Sequence, residues 1–504
     1  MRISRLLIVL VPPIMVALSA TSCLPEEEEE EIPDHISFAS FQDSHAWVCT
    51  WGGYEAHQEP DDCGACVAIG PDGSVFVTGS FDGETDFNPR EGKVVDVPRC
   101  FSGIYLSKFD AGGNYEWTQT WSSTEYISRG RAVRADGSGN TYVLGVFNGT
   151  MDLDPGRRVD GHRSRLGEPA AFLVALDPSG DYRYGTTWGD VEVADLVVDA
   201  DGNAFVAGHF PRDWDFEPDR VNIAPHPKRE FHKPVGSSDA WLAKLNTDGE
   251  LEWLVTWGAE YRDNAQCLAI GGSGRICVSG KFRGGVDFDP GPEISVQGAS
   301  STACYASCFS PDGQHIFSCA WGSEEVSSIA ADGADNVFAA GYFWFEVDFD
   351  PGPGTAILDA RWEATPYLVK FGSDGAFQWV RSWGMGDMRL TVAAAESGEA
   401  YVAGSFRGRT DFDPGNGTNA VATNGGTDVF VAKYEAGGDY QGVVAWGGKH
   451  HDCVLGITGD DSGSIYVAGW FNDVVDFDPA EDVAELESNG GTDAFLVKLT
   501  DSMW

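Results

Sequence analysis

The sequence predicts an all-β protein: a single seven-bladed β-propeller of four-stranded antiparallel blades, closed by an N-terminal strand that completes the last blade. Two observations predict this fold. A unit of about 65 residues recurs seven times along the 504-residue chain, and self-similarity at a fixed period is the signature of a repeat architecture. Each unit contains four strand-like runs separated by turn sequences, as in the blades of a propeller. One ring is therefore expected in place of the roughly three domains that chain length alone suggests.

Three landmarks define the repeat and occur in the same order in every unit. The first is a tryptophan that is usually followed by glycine: Trp51, Trp121, Trp188, Trp257, Trp321, Trp383 and Trp446. The second is Gly-x-Phe, which ends at Phe81, Phe147, Phe210, Phe282, Phe343, Phe406 and Phe471. The third is an acidic pentapeptide close to DFDPG, which begins at Asp86, Asp152, Asp215, Asp287, Asp348, Asp411 and Asp476.

The sixth unit shows how four strands, a to d, fit into one repeat. LTVAAA and AYVAGSF are two apolar runs joined by the short turn SGE, which is a hairpin pattern. DFDPG and a variable loop follow, and then VFVAKY and YQGVVAWG are joined by EAGGD. No run with helical periodicity interrupts the four strands.

The two ends of the repeat region fit together. The last unit stops after its strand c, DAFLVKL at 493–499, and HAWVCTWG at 45–52 has the pattern of an isolated strand d. Pairing these segments would close the ring and remove two exposed sheet edges. We therefore expect the propeller to span residues 37–504.

The N-terminal segment is expected to be an export signal. Arg2 and Arg5 precede an apolar stretch that is too short to cross a bilayer. Ala20, Thr21 and Ser22 stand directly before Cys23, which resembles the lipobox of bacterial lipoproteins. This resemblance implies a signal peptide over residues 1–22, cleavage before Cys23, and lipid attachment to its sulfur. Residues 23–36 contain six consecutive glutamates and are expected to form an extended acidic tether.

Charge and composition exclude several classes of protein. The net charge is -45, so the chain repels phosphate backbones and nucleic acid is not an expected partner. A hydrophobic fraction of 42% with 12% aromatic residues is too apolar for a disordered chain. No stretch beyond the leader reaches transmembrane length, so contact with the membrane is expected only through the lipid anchor of a cell-envelope protein.

The repeat resembles a known family. D-A-F-[LV]-x-K, D-x-x-G, W-G and the D-x-G-N type of turn followed by an apolar strand are similar to the bacterial SBBP repeats, named for their seven-bladed β-propeller. The resemblance extends from about residue 37 to residue 500. It implies the architecture and an exported or surface location, and it implies no activity. Ser122, which replaces the glycine after tryptophan, and DFNPR at 86–90 depart from the pattern.

The DFDPG motifs have two interpretations. Their carboxylates flank an apolar residue, so both can point to one side, where they cap the backbone N–H groups of a turn or ligate calcium. The longer loop of an EF-hand is absent, which favours caps. The metal candidates are Asp152, Asp154, Asp287, Asp289, Asp348, Asp350, Asp411, Asp413, Asp476 and Asp478.

The loops that join strand d to the next strand a are expected to converge on the mouth of the propeller channel. These loops form the predicted ligand site, whose candidate residues are His57, Asp62, Arg262, His450, His451 and Asp452. One of the loops also carries Asp387 and Arg389. Histidines beside acids suit zinc binding or acid–base chemistry, whereas solvated loop residues at a seam are the alternative.

Eleven cysteines less Cys23 leave an even number in an exported chain, so disulfides are expected. Cys267 and Cys277 flank one hairpin, and Cys308 and Cys319 flank another. Each of these pairs is expected to face across its hairpin. A third pair, Cys63 and Cys453, occupies equivalent positions in the first and last units and is a candidate bridge across the closure.

These features predict a monomeric binding or scaffold module without catalysis, whose partner is a protein or glycan at the cell surface. No cofactor is required, and calcium is the one candidate. The alternative is a hydrolase or lyase with its active site at the channel mouth. That alternative needs acid and base groups within hydrogen-bond reach of each other in a concave pocket.

Overall fold

In the computed structural model the described residues lie in one compact unit, Ile36–Trp504. They are 38–40, 46–53, 62–88, 90, 94–165, 167–189, 191–211, 221–228, 231–322, 325–361, 363–384, 386–460, 462–478 and 483–504. The predicted lipid-attachment residue Cys23 and the mouth residue His57 lie outside these ranges. Within the same ranges no helix is long and apolar enough to cross a membrane.

Nearly all the regular structure is β-strand, and the only helix in the described ranges is a short 3₁₀ turn at Asp501–Met503. In chain order the strands are β1 Phe38–Ser40, β2 Trp47–Trp51, β3 Cys63–Ile69, β4 Val75–Phe81, β5 Thr85–Asp86, β6 Val95–Asp96, β7 Gly103–Phe109, β8 Tyr115–Ser122, β9 Ser128–Ala135, β10 Thr141–Phe147, β11 Thr150–Asp152, β12 Gly161–Arg163, β13 Ala170–Leu176, β14 Tyr182–Trp188, β15 Glu192–Val198, β16 Ala204–Pro211, β17 Val221–Asn222, β18 Phe231–His232, β19 Ser238–Leu245, β20 Leu251–Trp257, β21 Asn264–Ile270, β22 Ile276–Asp287, β23 Val296–Phe309, β24 His315–Trp321, β25 Glu325–Ala331, β26 Val337–Phe343, β27 Glu346–Asp348, β28 Ile357–Asp359, β29 Thr365–Phe371, β30 Phe377–Ser382, β31 Gly386–Ala394, β32 Ala400–Asp411, β33 Ala420–Tyr434, β34 Tyr440–Gly448, β35 Cys453–Gly459, β36 Ile465–Asp476 and β37 Glu485–Leu499.

The strands form antiparallel sheets in sequence order, which is the arrangement of β-propeller blades. Over the described residues five sheets have four strands each: β3-β4-β7-β8, β9-β10-β13-β14, β15-β16-β19-β20, β21-β22-β23-β24 and β25-β26-β29-β30. Four small hairpins, β5-β6, β11-β12, β17-β18 and β27-β28, stand on the connections between second and third strands. The predicted all-β propeller architecture is therefore confirmed.

The remaining strands form one larger sheet. It contains the run β31-β32-β33-β34 and the run β35-β36-β37-β2, with β1 on the outer edge of β2. Only two residue pairs, Gly447 with Asp476 and Gly448 with Val475, join the two runs. Strand β2 pairs with β37 over five residues, from Trp47 opposite Lys498 to Trp51 opposite Ala494.

The aromatic landmarks form the core between sheets. Each landmark tryptophan from Trp51 to Trp446 is at most 5% exposed, and each phenylalanine of the Gly-x-Phe motifs is at most 1% exposed. The apolar residue inside DFDPG packs on that phenylalanine, as Phe412 does on Phe406 with ring centroids 5.2 Å apart. Sheet-to-sheet packing thus explains why aromatic residues recur once per unit.

The glycine of Gly-x-Phe is required by a β-bulge. The first strand of the unit carries an extra residue at this point, for example between Gly64 and Cys66 opposite Gly79 and Thr78. A Cβ on Gly79 would lie 1.7 Å from the Cys63 carbonyl oxygen, which the bulge pushes toward the second strand. Only glycine leaves room for this carbonyl.

The glycine after the landmark tryptophan is required by a different contact. A Cβ on Gly52 would lie 2.1 Å from Oδ1 of Asp493, the buried aspartate that begins the D-A-F motif of β37. A Cβ on Gly322, whose unit has no such aspartate, meets nothing within 4 Å. The same contact recurs at Gly258 with Asp239 and at Gly447 with Asp428. W-G and D-A-F are therefore two halves of one packed site.

Candidate functional site

The first strand of each four-stranded run, called here the inner strand, contributes to one large cavity. The cavity has a volume of about 1440 Å³ and is lined by residues of β3, β9, β15, β21, β25, β31 and β35. A smaller cavity of about 370 Å³ adjoins it and shares Arg389, Leu455 and Trp470 with it. Concave sites of this kind are where ligands bind on rigid scaffolds.

One inner strand gives the cavity a positive charge. Strand β9 has the sequence SRGRAVRA, and its three arginines, Arg129, Arg131 and Arg134, all line the cavity. Arg129 and Arg131 lie near the start of the strand and are exposed, whereas Arg134 is half-buried. Gly130 and Ala132 are buried, so Arg129 and Arg131, which alternate with them, are turned toward the cavity.

We call Arg129, Arg131 and Arg389 the mouth arginines. Arg131 Nη1 donates to the Val193 carbonyl at 2.8 Å. Within the described residues no carboxylate makes an ion pair with any of the three. A group of guanidinium charges that forms no ion pair among the described residues is unusual in a chain of net charge -45, because a contacting acid would lower its electrostatic energy.

The charges of the mouth arginines act on common groups of the cavity wall. Partial desolvation of its guanidinium by the cavity wall lowers the pKa of Arg131; the Glu192 carboxylate opposes this, and the charge of Arg129 adds to it. Burial also raises the pKa of the Cys63 thiol, with the Ser80 backbone N–H, Arg129 and Arg389 acting in the opposite direction. Arg129 and Arg389 therefore act on the same point of the cavity wall although they come from different sheets.

A histidine–carboxylate pair stands at the same end of the cavity. His209 Nε2 lies 3.4 Å from Oε2 of Glu192. Burial lowers the pKa of His209; Glu192 opposes the shift, while Arg262 and Arg131 add to it. The imidazole is therefore neutral near pH 7.

Arg134 is held more firmly than the mouth arginines. It donates to Cys66 Sγ at 3.1 Å, to the Val133 carbonyl at 2.8 Å, and to Asp195 Oδ1 at 3.3 Å. Asp195 also accepts the backbone N–H of Leu268 at 2.9 Å. Burial raises the pKa of Asp195, and Arg134 opposes that shift. This bridge links four inner strands, β3, β9, β15 and β21, and serves structure more directly than ligand binding.

The structure separates the predicted mouth cluster. Asp62 and Asp452 are at most 3% exposed. Both oxygens of Asp62 accept backbone N–H groups, those of Gly53 at 2.7 Å and Asp82 at 3.0 Å. Those of Asp452 accept from Gly448 at 2.8 Å and Asn472 at 3.1 Å. These two aspartates fix loops rather than face the cavity.

The other members of the predicted cluster lie apart from each other. The exposed His450 pairs with Asp473, Nε2 to Oδ2 at 3.4 Å. His451 lines the smaller cavity, where its Nδ1 lies 3.2 Å from Thr427 Oγ1. Arg262 is exposed beside His209. Of the predicted loop residues that are described, Arg389 belongs to the arginine cluster and Arg262 lies near it.

The aspartates of the DFDPG motifs cap turns. Asp348 Oδ1 accepts the backbone N–H groups of Asp350 at 3.1 Å and Ala356 at 2.8 Å, and Asp350 Oδ1 accepts that of Gly352 at 2.7 Å. The first aspartate accepts the same pair of backbone N–H groups in the motifs at Asp86, Asp152, Asp287, Asp411 and Asp476. The second aspartate accepts the backbone N–H two residues later at Asp154, Asp289 and Asp413. In the last motif the backbone N–H of Asp478 donates to Asp476. In the part of the chain that is described, no three His, Cys, Asp or Glu side chains are grouped so as to hold a metal ion. Calcium binding stays a prediction.

The predicted disulfide pairs are wrong, although a disulfide is present. Cys277 is bonded to Cys308, which lies directly opposite it across β22 and β23. Cys267 stands opposite Ser279 instead, and Cys319 opposite Ala306. Flanking a hairpin symmetrically in sequence does not place two residues in register, because a bulge or an uneven turn shifts the pairing. Cys453 keeps its thiol, which donates to the Val454 carbonyl at 3.5 Å, so the bridge from Cys63 is not formed.

Sequence reasoning missed Arg129 and Arg131. The signal was available, because β9 is the inner strand that carries three arginines within six residues. An inner strand of a propeller is covered by another sheet on each face but borders the channel on its edge. Charges at bulge and start positions can therefore reach the channel.

No family model matches the chain. The regulatory protein FlaEY of Caulobacter vibrioides is 32% identical over 395 residues, which cover 71% of this chain. The chain spans 38% of that relative's length. Among solved structures, the Dos1 propeller covers 89% of this chain and 95% of its own at 7% identity with a TM-score of 0.37. An ulvan lyase covers 87% and 97% at 10% identity with a TM-score of 0.38. At such scores these two likenesses support no inference about function.

Proposed function

We propose that the strands form one closed ring of seven blades and that the ring is a binding module for an anionic ligand at the mouth of its cavity. The closure is supported by the pairing of β2 with β37 and by the packing of β3 against both β9 and β35. The seven inner strands that line a single cavity support the blade count. A rigid ring with a charged mouth suits recognition.

The mouth arginines carry this proposal. Three guanidinium groups that form no ion pair with a described carboxylate face the cavity of a protein whose net charge is -45. Each offers planar N–H donors that match a carboxylate, sulfate or phosphate group. Their mutual repulsion is relieved when an anion binds between them. Binding alone accounts for this arrangement, and one relative is described as a regulatory protein, a role that needs no catalysis.

The cellular setting follows from the N-terminal sequence. We propose that residues 1–22 direct export, that Cys23 carries lipid, and that residues 23–36 hold the propeller away from the membrane of a bacterial cell envelope. The protein then acts as a monomer that meets a protein or glycan at the surface. Because the protein is acidic, nucleic acid is not a partner. Incorporation of radiolabelled palmitate into the wild type, and its loss in Cys23→Ser, would test the anchor.

Titration calorimetry with citrate at low ionic strength tests the binding site. Citrate should bind, and added salt should weaken the binding. Arg129→Ser with Arg131→Ser should lower the affinity by about tenfold or more. Arg157→Ser with Arg158→Ser is the matched control, since it removes two exposed charges from the loop of another motif. Equal affinities in both double variants would refute the site.

One observation favours a second candidate function, a lyase or hydrolase at the same mouth. The His209–Glu192 pair stands beside Arg131, and a neutral histidine near a guanidinium can take a proton next to a bound carboxylate. An uronate polymer incubated with the protein would then yield shorter chains. His209→Gln should abolish that product formation and leave citrate affinity unchanged. No product from the wild type would leave binding as the function.

A further inference from the structure

Two aromatic side chains stand beside the mouth arginines. Phe101 and Tyr126 stack with ring centroids 4.6 Å apart and planes at 17°. They are 55% and 72% exposed, and both line the cavity, as Arg129 does. Most rings of this chain are buried between sheets, so a stacked pair that remains in water is an exception.

The position of this aromatic pair is fixed from both sides. Phe101 precedes β7, and Ser102 Oγ next to it donates to the Ser128 carbonyl at 3.2 Å. Tyr126 lies in the connection that enters β9, where Ser128 Oγ donates to Ser123 Oγ at 2.8 Å. These hydroxyl bonds tie the connection before Arg129 to the start of β7. The aromatic pair and the arginine are therefore presented together.

We propose that the ligand is an acidic oligosaccharide, which deepens the proposed function and rests on it. Carboxylates of uronate residues would bind the mouth arginines, and the apolar face of a neighbouring pyranose ring would stack on the Phe101–Tyr126 pair. Aromatic rings present a flat apolar face of suitable size, and guanidinium groups bind planar carboxylates with two hydrogen bonds.

An acidic peptide fits the same observations less well. Its carboxylates could bind the arginines, but a glutamate or aspartate chain has no flat, rigid apolar face for the stacked rings. The overall negative charge of the protein does not prevent approach of the sugar. At physiological ionic strength charges are screened beyond about 8 Å, so the arginines at the mouth dominate at contact.

Three ligands of similar length separate the contributions of charge and sugar. We expect trigalacturonate to bind the wild-type protein at least about tenfold more tightly than cellotriose, which lacks carboxylates, or triglutamate, which lacks sugar rings. Arg129→Ser with Arg131→Ser should weaken trigalacturonate and triglutamate alike. Phe101→Ser with Tyr126→Ser should weaken trigalacturonate by about tenfold and leave triglutamate unchanged. Phe345→Ser is the control, because this exposed ring belongs to another loop.

The outcomes distinguish failure of the oligosaccharide proposal from failure of the proposed anion-binding function. If triglutamate binds as tightly as trigalacturonate and the aromatic variant has no effect, anion binding stands and the oligosaccharide is refuted in favour of an acidic peptide. If cellotriose binds as tightly as trigalacturonate, the arginines have no role in recognition and the acidic ligand is refuted. If neither citrate nor any of the three ligands binds, the proposed function itself fails. Circular dichroism and unfolding midpoints of every variant show whether a loss reflects binding or folding.

Discussion

Replacing the buried carboxyl group of Asp493 by an amide should change how stability depends on pH. Burial raises the pKa of Asp493 to about 7, and hydrogen bonds from Asn489 oppose the rise. Both Asp493 oxygens accept from Asn489, one from its backbone N–H and one from its side-chain amide, each at 3.1 Å. The amide introduced by Asp493→Asn could keep both contacts, since the side chain of Asn489 can rotate and present its own buried oxygen, which has no described partner.

The sign of the effect follows from proton linkage. Between the unfolded pKa, near 3.8, and the folded pKa, about 7, the folded protein binds more protons at this site than the unfolded chain does. Stability from this site is therefore lost as the pH rises through this window. A shift of roughly three pH units corresponds to a cost of about 4 kcal/mol above pH 7, and to less than about 1 kcal/mol at pH 4.

Urea unfolding of the wild type and Asp493→Asn at pH 4 and pH 8 measures this cost. The difference in unfolding free energy between the two proteins should change by about 3 kcal/mol in favour of the variant as the pH rises from 4 to 8. Asp110→Asn is the control of opposite sign, because hydrogen bonds from Asn114 and Gly112 outweigh burial and lower the pKa of Asp110. A pH-independent difference for Asp493→Asn would refute the linkage argument.

Three further predictions concern the landmarks and the disulfide. Gly52→Ala should destabilise the protein by about 2 kcal/mol in thermal unfolding because its Cβ strikes a buried carboxylate, whereas Gly322→Ala should be within about 0.5 kcal/mol of wild type because nothing lies within 4 Å of the new atom. Peptide mapping without reductant should recover Cys277 linked to Cys308, and replacing both by serine should cost about 2–4 kcal/mol. Asp348→Ala should cost about 1 kcal/mol in chelator, since its two backbone bonds need no metal; a cost that appears only with calcium would instead indicate a calcium site.

The fold class was predictable because the signals for it are local and repeated. The landmark tryptophan of each unit, such as Trp446, must be buried, so the same residue type recurs at the same place in the repeat. The turn-capping role of Asp348 was also one of the two interpretations the motif allowed. In both cases the physical cause lies within one repeat unit, and a single sequence presents it several times.

The ligand site was only partly predictable because it breaks the repeat. Arg131 has no arginine counterpart in the other units, and the position of Arg129 is arginine again only at Arg389, so the repeat is a weak guide to these residues. The loop residues Asp62 and Asp452 looked available for ligands, but unsatisfied backbone N–H groups of the loops take up their carboxylates. Buried backbone donors must be satisfied first, and sequence alone does not show which carboxylates do it.

The N-terminal strand gives the sharpest test of the closed ring. Deleting residues 37–52 removes β2, whose Trp47 and Trp51 are at most 4% exposed, and leaves the backbone groups of β37 unpaired along one edge. Loss of each buried tryptophan costs about 3–5 kcal/mol, and an open apolar edge recruits another strand. The deleted protein should therefore unfold at a much lower temperature and associate with itself in light scattering, and a synthetic peptide of residues 37–52 should reverse both effects. If the deletion leaves the unfolding temperature and the monomeric mass unchanged, β2 does not hold the first and last blades together, and the repeats form an open array.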